Sequence, residues 1–136
     1  MTGTRRKSRT IALQALYEID SASRRPDIVL EHLLAEVDLS QESNDFVREL
    51  VDGVIRNRDD IDSYVERFAP AWPIEQIAMV DRNILRLAIF EILFDNRVPV
   101  KVAVSEAIEL AKKFGSEKSS KFVNGVLGSI STLASR

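Results

Sequence analysis

Cysteine is absent from the 136-residue chain, which excludes disulfides, thiolate metal sites and a cysteine nucleophile, and permits a reducing compartment. Histidine is nearly absent too. The single one, His32, removes most acid–base and metal-ligand constellations. With Glu31 and Glu36 it would make a two-ligand site at best, so no metal is expected and His32 reads as a partly exposed helix residue. Glycine numbers only five and never clusters. Gly115 to Ser120 has a superficial Gly, Lys and Ser content, but it lacks the Walker spacing and follows a helix instead of a strand. Long apolar runs are missing as well: the most apolar stretch, Leu85 to Phe94, is interrupted by Arg86 and Glu91. The charged start has no apolar h-region behind it, so neither a signal peptide nor a membrane span is expected and the chain reads as soluble and cytoplasmic. Carboxylate pairs such as Asp59 with Asp60 read as solvated helix starts. Neither an enzyme nor a cofactor-dependent protein is expected.

What is present is charge, unevenly placed. The formal net charge is −2, with 19 Lys/Arg against 21 Asp/Glu. Arg5, Arg6, Lys7 and Arg9 all fall within residues 1–17, where no acid occurs, which leaves 15 basic residues to face all 21 acidic ones. A basic pole on an acidic body can bind phosphate locally while the rest of the surface receives a basic protein. Thr4 is a plausible N-cap, and Ile11, Ala12, Ala15, Leu16 and Ile19 follow at helical spacing, so the cations sit in the opening turns of a helix. Cations there oppose the helix macrodipole at about 0.3–1 kcal/mol each. The alternative reading is an ordinary solvated basic start.

Helix follows helix along the rest of the chain, and strict two-residue alternation nowhere persists. The first helix runs from about Arg5 to Ile19. Pro26 fits the first turn of a second helix through Val37. Ser40 can cap a third, in which Phe46, Leu50, Val51, Val54 and Ile55 form the core stripe. Asp59 or Asp60 opens a fourth, closed by Ala69 and Pro70. Pro70 and Pro73 make the best internal boundary, with Trp72 between them filling a groove. A short helix from Pro73 to about Ala78 leads to Asp81, the expected N-cap of a long helix Arg82 to Asp95. After Val98 and Pro99 another helix runs to Phe114, with Gly115 as its terminator. Ser119 or Ser120 caps the last, Lys121 to about Leu133. The fold class is therefore all-α, about seven helices. A chain of 136 residues, 45% of them hydrophobic, suits one domain over 1–136. Two three-helix subdomains sharing a core are expected, an N-terminal bundle of about 4–69 and a C-terminal bundle of about 73–134.

A second cluster, Lys118, Lys121, Phe122 and Asn124, surrounds the start of the last helix. Lysines supply phosphate contacts, an exposed phenylalanine can stack an unpaired base for about 1–3 kcal/mol, and an asparagine amide can read a base edge. The alternatives stay open here: Phe122 shares a helical face with Val126 and Ile130 and could be core, and Asn124 with Gly125 could serve close helix packing.

Read together, several blocks resemble the NusB family of transcription antitermination factors. Arg5-Arg6-Lys7-Ser8-Arg9 followed by Ala12-Leu13-Gln14-Ala15-Leu16-Tyr17 is similar to its arginine-rich first helix. Val80-Asp81-Arg82-Asn83-Ile84-Leu85-Arg86-Leu87-Ala88 is similar to its central helix, with Glu91 and Leu93 continuing it. Val98-Pro99, Val102-Ala103-Val104, Glu106 to Lys112 and Phe122-Val123-Asn124-Gly125-Val126-Leu127 match its C-terminal signature. The similarity covers essentially the whole chain, in four ordered blocks. It implies an all-helical, non-enzymatic protein that binds single-stranded boxA RNA together with the small-subunit ribosomal protein NusE. The pair then joins RNA polymerase with other Nus factors on ribosomal RNA operons.

The resemblance places the arginine motif on Arg5, Arg6 and Arg9, with Lys7 as a phosphate contact and Phe122 and its lysine-flanked turn next in line for RNA. For the basic ribosomal partner it directs attention to the polar face of the central helix: Asp81 first, then Arg82 and Arg86. Ser105 departs from the family's frequent asparagine, and Gly128 from its frequent aspartate; neither carries the RNA expectation. Some family members self-associate through surfaces that would cover the basic helix, so a homodimer is a further expectation. Two other readings keep the fold: an accessory RNA-binding domain for an RNA-modifying enzyme, for which this chain has no room for the catalytic part, and a purely protein-interacting helical module.

Overall fold

The computed structural model describes residues 2–95 and 97–134, and among them every regular element is helical. Packing divides the chain into two compact units that meet in sequence between Arg56 and Asn57. The first unit holds α1 (Thr2–Ala22), α2 (Pro26–Ala35) and α3 (Gln41–Arg56). The second holds α4 (Arg58–Phe68), a 3-10 turn (Ile74–Gln76), α5 (Met79–Ile89) running into a π-helical turn (Phe90–Phe94), α6 (Val100–Phe114) and α7 (Ser119–Ser131).

In the first unit α1 packs chiefly on α3 and also on α2. Its apolar stripe, Ile11, Ala12, Ala15, Leu16 and Ile19, is buried as the spacing predicts, and so are Phe46, Val47, Leu50, Val51 and Val54 of α3. Each fully buried Leu, Val, Ile or Phe contributes about 1.5–3 kcal/mol, and the two alanines let the helix backbones approach. Ser40 does cap α3: its Oγ accepts the Ser43 N–H at 3.1 Å. Pro26 stands at the start of α2 as expected. Thr4 is a correction, because α1 begins two residues earlier and Thr4 lies within its first turn, its carbonyl accepting the Ser8 hydroxyl at 3.1 Å. Beyond α1, Ser23 takes φ of 51°, the left-handed conformation that ends many helices and that costs a side-chain-bearing residue about 1–2 kcal/mol.

In the second unit α5 is enclosed by α4, α6 and α7, so Ile84, Leu85, Leu87, Ala88 and Ile89 are buried all round the helix. The expected boundary at Pro70–Pro73 is corrected by this packing. The prolines do end α4, but α4 packs on α5 and α7 and so belongs to the second unit. Trp72 does not fill a groove: the proline-bounded segment holds it outside, 55% exposed. The long helix expected over Arg82 to Asp95 is α-helical only to Ile89. It then widens into the π turn, closed by the Asp95 N–H donating to the Phe90 carbonyl at 2.9 Å.

Gly115 ends α6, though not in the left-handed form expected of a terminating glycine; its φ is −90°. What requires glycine there is space. A Cβ would meet Ser119 Oγ, lie 2.5 Å from Ser119 Cβ and 2.8 Å from the Ala111 carbonyl oxygen. His32 is exposed, 3.3 Å from Glu36, and among the described residues no three His, Cys, Asp or Glu are placed to hold a metal ion. No helix among them is long and apolar enough to cross a membrane.

Candidate nucleic-acid interface

The cations of α1 separate by helical phase. Arg5 and Arg9, four residues apart, align with Ala12 and Leu16 and point toward α3, whereas Arg6 and Lys7 lie on the exposed side. Arg5 is half-buried with its guanidinium 4.8 Å from the Phe46 ring centroid. Arg9 is 3% exposed and 5.6 Å from the same ring. Two guanidiniums over one phenylalanine make a cation–π arrangement worth about 0.5–2 kcal/mol per contact, more when desolvated. The structure therefore corrects the place of Arg9 in the expected RNA-binding arginine motif: its head lies buried against Phe46 in the α1–α3 packing. Arg6 and Lys7 are the surface cations, and the first turn of α1 carries no acidic residue. Sequence reasoning passed over Tyr17 as a site residue. It is 41% exposed and lies on the outward line Lys7, Thr10, Gln14, Tyr17, a spacing of three, four and three that the sequence already displays.

The start of α7 repeats the electrostatic pattern. Lys118 occupies the N-cap, Lys121 lies in the first turn, and that turn has no acidic residue. Both lysines and Asn124 are exposed. Phe122 is half-buried at the rim, because Val123, Val126, Leu127 and Ile130 take the inward face. The packing alternative for Asn124 with Gly125 fails, since a Cβ on Gly125 would have nothing within 4 Å. Ser119 is the first residue of α7 and not its cap. Its buried Oγ accepts the Ser116 N–H at 2.9 Å, which closes the α6–α7 turn tightly and presents Lys118 and Lys121 on its outside.

The expected partner face around α5 is only partly a surface. Arg86 is 4% exposed. Its guanidinium donates to both oxygens of Asp62, Nε to Oδ1 at 2.8 Å and Nη2 to Oδ2 at 3.0 Å, and Nη1 donates to Asn83 Oδ1 at 3.2 Å. Asn83 in turn donates to the Met79 carbonyl at 2.9 Å. Arg86 thus ties α4 to the first turn of α5 and, as a correction, offers a partner nothing. Arg82 is half-buried and reaches the Ile74 and Glu75 carbonyls at 3.4 and 3.3 Å, steadying the 3-10 turn. Asp81 is not an N-cap, because Ala78 holds that position and its carbonyl accepts the Arg82 N–H at 2.9 Å. Asp81 is 8% exposed, and its Oδ1 is buried without a hydrogen-bond partner, an expensive state for a carboxylate oxygen unless something completes it.

Known proteins are similar to this chain in sequence and in fold. The sequence pattern of the NusB family matches residues 6–132. The chain is 50% identical over 131 residues to the transcription antitermination protein NusB of Dehalococcoides mccartyi (strain ATCC BAA-2266 / KCTC 15142 / 195), spanning 96% of this chain and 92% of that one. It is 45% identical over 126 residues to the protein of the same name from Bacillus licheniformis, at 93% and 95% coverage. Among solved structures, NusB of T. maritima superposes with a TM-score of 0.89 at 32% identity, over 97% of this chain and 93% of that one. A crystal structure of the antitermination factors NusB and NusE in complex with double-stranded RNA gives a TM-score of 0.89 at 29% identity, over 98% and 99%.

Proposed function

The chain belongs to the NusB family, and from that premise we propose that it is an RNA-binding transcription antitermination factor. With NusE it recognises boxA RNA in ribosomal RNA operon transcripts and helps assemble the antitermination complex on RNA polymerase with other Nus factors. The observation that carries the reading is electrostatic. Two helices, α1 and α7, open with surface lysine or arginine and without acid in the first turn, on a chain whose net charge is negative. Such placements oppose the macrodipole unless an anion is bound.

The mechanism is adhesive. Arg6, Lys7, Lys118 and Lys121 contact phosphates, Phe122 stacks a base from the rim of its helix, and Asn124 reads a base edge. Arg5 contributes from its half-buried position. So few phosphate contacts give modest affinity, and NusE raises it by linked binding. Asp81 is the residue proposed for that partner, as an acidic group of α5 set against a basic protein. A related complex, in which NusB and NusE are seen with double-stranded RNA, supports RNA and NusE as the two ligands.

The test is a titration of labelled boxA-like RNA and a scrambled control, with and without NusE, across a salt series. Selective binding that tightens with NusE is the expected result. Equal binding to both RNAs, indifferent to NusE, would reduce the basic residues to a nonspecific patch.

A further inference from the structure

Phe114 is a large apolar residue at the last position of α6, yet it remains 41% exposed. The packing of α6 does not use it: Ala103, Ala107, Leu110 and Ala111 supply the inward face. The next residue, Gly115, is in closest contact with Ser119 at the start of α7, so the ring stands beside the tight turn that presents Lys118 and Lys121. On its own side of that turn the flanking residues are Lys112 and Lys113, both exposed. The Lys113 Nζ lies 5.3 Å from the Phe114 ring centroid. Residues 112–121 thus hold four lysines and a single acid, Glu117.

Lys112 and Lys113 alone would need no ligand, because cations at a helix C-terminus complement its dipole. Lys118 and Lys121, at a helix N-terminus, have no such explanation, and neither does a solvent-exposed phenylalanine beside the Lys113 ammonium in a stretch of four lysines. An aromatic ring beside clustered lysines is the composition by which single-stranded nucleic acids are held, bases on the ring and phosphates on the cations. A basic protein partner would be repelled by the same lysines.

Resting on the RNA-binding reading above, we infer that Phe114 is a base-stacking residue and Lys113 its accompanying phosphate contact, extending the RNA surface of the second unit from the start of α7 to the end of α6. The experiment compares Phe114→Ala, Phe114→Trp in a Trp72→Phe background, Lys113→Ala and Lys121→Ala in the full chain. Binding of single-stranded boxA-like RNA is measured across a salt series, with circular dichroism melts to confirm folding. Phe114→Ala is expected to weaken binding about tenfold with the salt slope unchanged. Lys113→Ala should lower the slope by about 0.7, the value for one phosphate on a single strand. The tryptophan variant should retain affinity, and its emission should be quenched on RNA binding. Wild-type affinity for Phe114→Ala with no quenching, while Lys121→Ala still weakens binding, overturns the Phe114 assignment and leaves the RNA reading standing. Wild-type affinity and slope in both Phe114→Ala and Lys121→Ala overturns the RNA reading for this unit. Unchanged RNA binding with weakened NusE capture by Phe114→Ala assigns the ring to a protein interface and overturns the proposal.

Discussion

At the scale of single residues, the buried polar groups of the second unit have separable roles. Arg86 and Asp62 form a forked ion pair in which the arginine side chain is 5% and the aspartate 16% exposed. Removing one partner of such a pair leaves a charge poorly solvated, at about 3 kcal/mol. Arg86→Ala should therefore lower the unfolding free energy obtained from urea titration by about that amount, and RNA affinity measured on the remaining folded protein should not change. Asp81 has the opposite signature. Its Oδ1 makes no internal hydrogen bond, so Asp81→Asn should cost less than about 1 kcal/mol of stability while reducing NusE affinity about tenfold. Parallel loss of stability and affinity would assign Asp81 to the fold instead. Gly115 is constrained by its neighbours: Gly115→Ala should destabilise by about 1–3 kcal/mol, since Ser119 and the Ala111 carbonyl must move to admit the methyl group. None of these three environments was legible in the sequence. Arg86 and Asp81 carry the same polar signature in a helical pattern whether they face water or a neighbouring helix.

At the scale of the element, α1 shows how one helix divides a run of like charges. The cluster Arg5, Arg6, Lys7 and Arg9 reads as a single patch along the chain. Helical phase sends Arg5 and Arg9 toward Phe46 and leaves Arg6 and Lys7 outward. Two variants should then behave differently. Arg6→Ala with Lys7→Ala should leave the protein folded and flatten the logarithmic salt dependence of RNA binding by about 1.4, two phosphate contacts on a single strand. Arg9→Ala should lower the melting temperature and leave the salt slope alone. Equal salt slopes for the double variant and the wild type would remove Arg6 and Lys7 from the RNA surface. Among the described residues the seven α-helices followed from apolar periodicity, although α5 gives way to a π turn before its expected end, and the Ser40 cap and the Pro26 start followed from local chemistry. The starts of α1 and α5 did not. Thr4 and Asp81 are good cap residues, but each helix extends two residues beyond its expected cap.

At the scale of the whole molecule, the proposed activity is a linkage between two ligands. If NusE raises RNA affinity by some factor, RNA must raise NusE affinity by the same factor. Calorimetric titrations run in both orders should therefore agree, and disagreement would mean that the two do not bind the same state of the protein. The sequence by itself determined the all-helical class, the helix count and the two basic helix starts, because periodicity, prolines and the uneven sign of charge are properties of neighbouring residues. Family membership was legible for the same reason, through four ordered blocks. Tertiary structure alone decided that α4 packs with α5 and α7. It also decided that Arg9 and Arg86 turn inward, that Trp72 and Phe114 stay outside, and that Asp81 keeps an unsatisfied oxygen. Each depends on which side of a helix another helix covers. That choice arises from contacts between residues far apart in the chain, where local spacing carries no information.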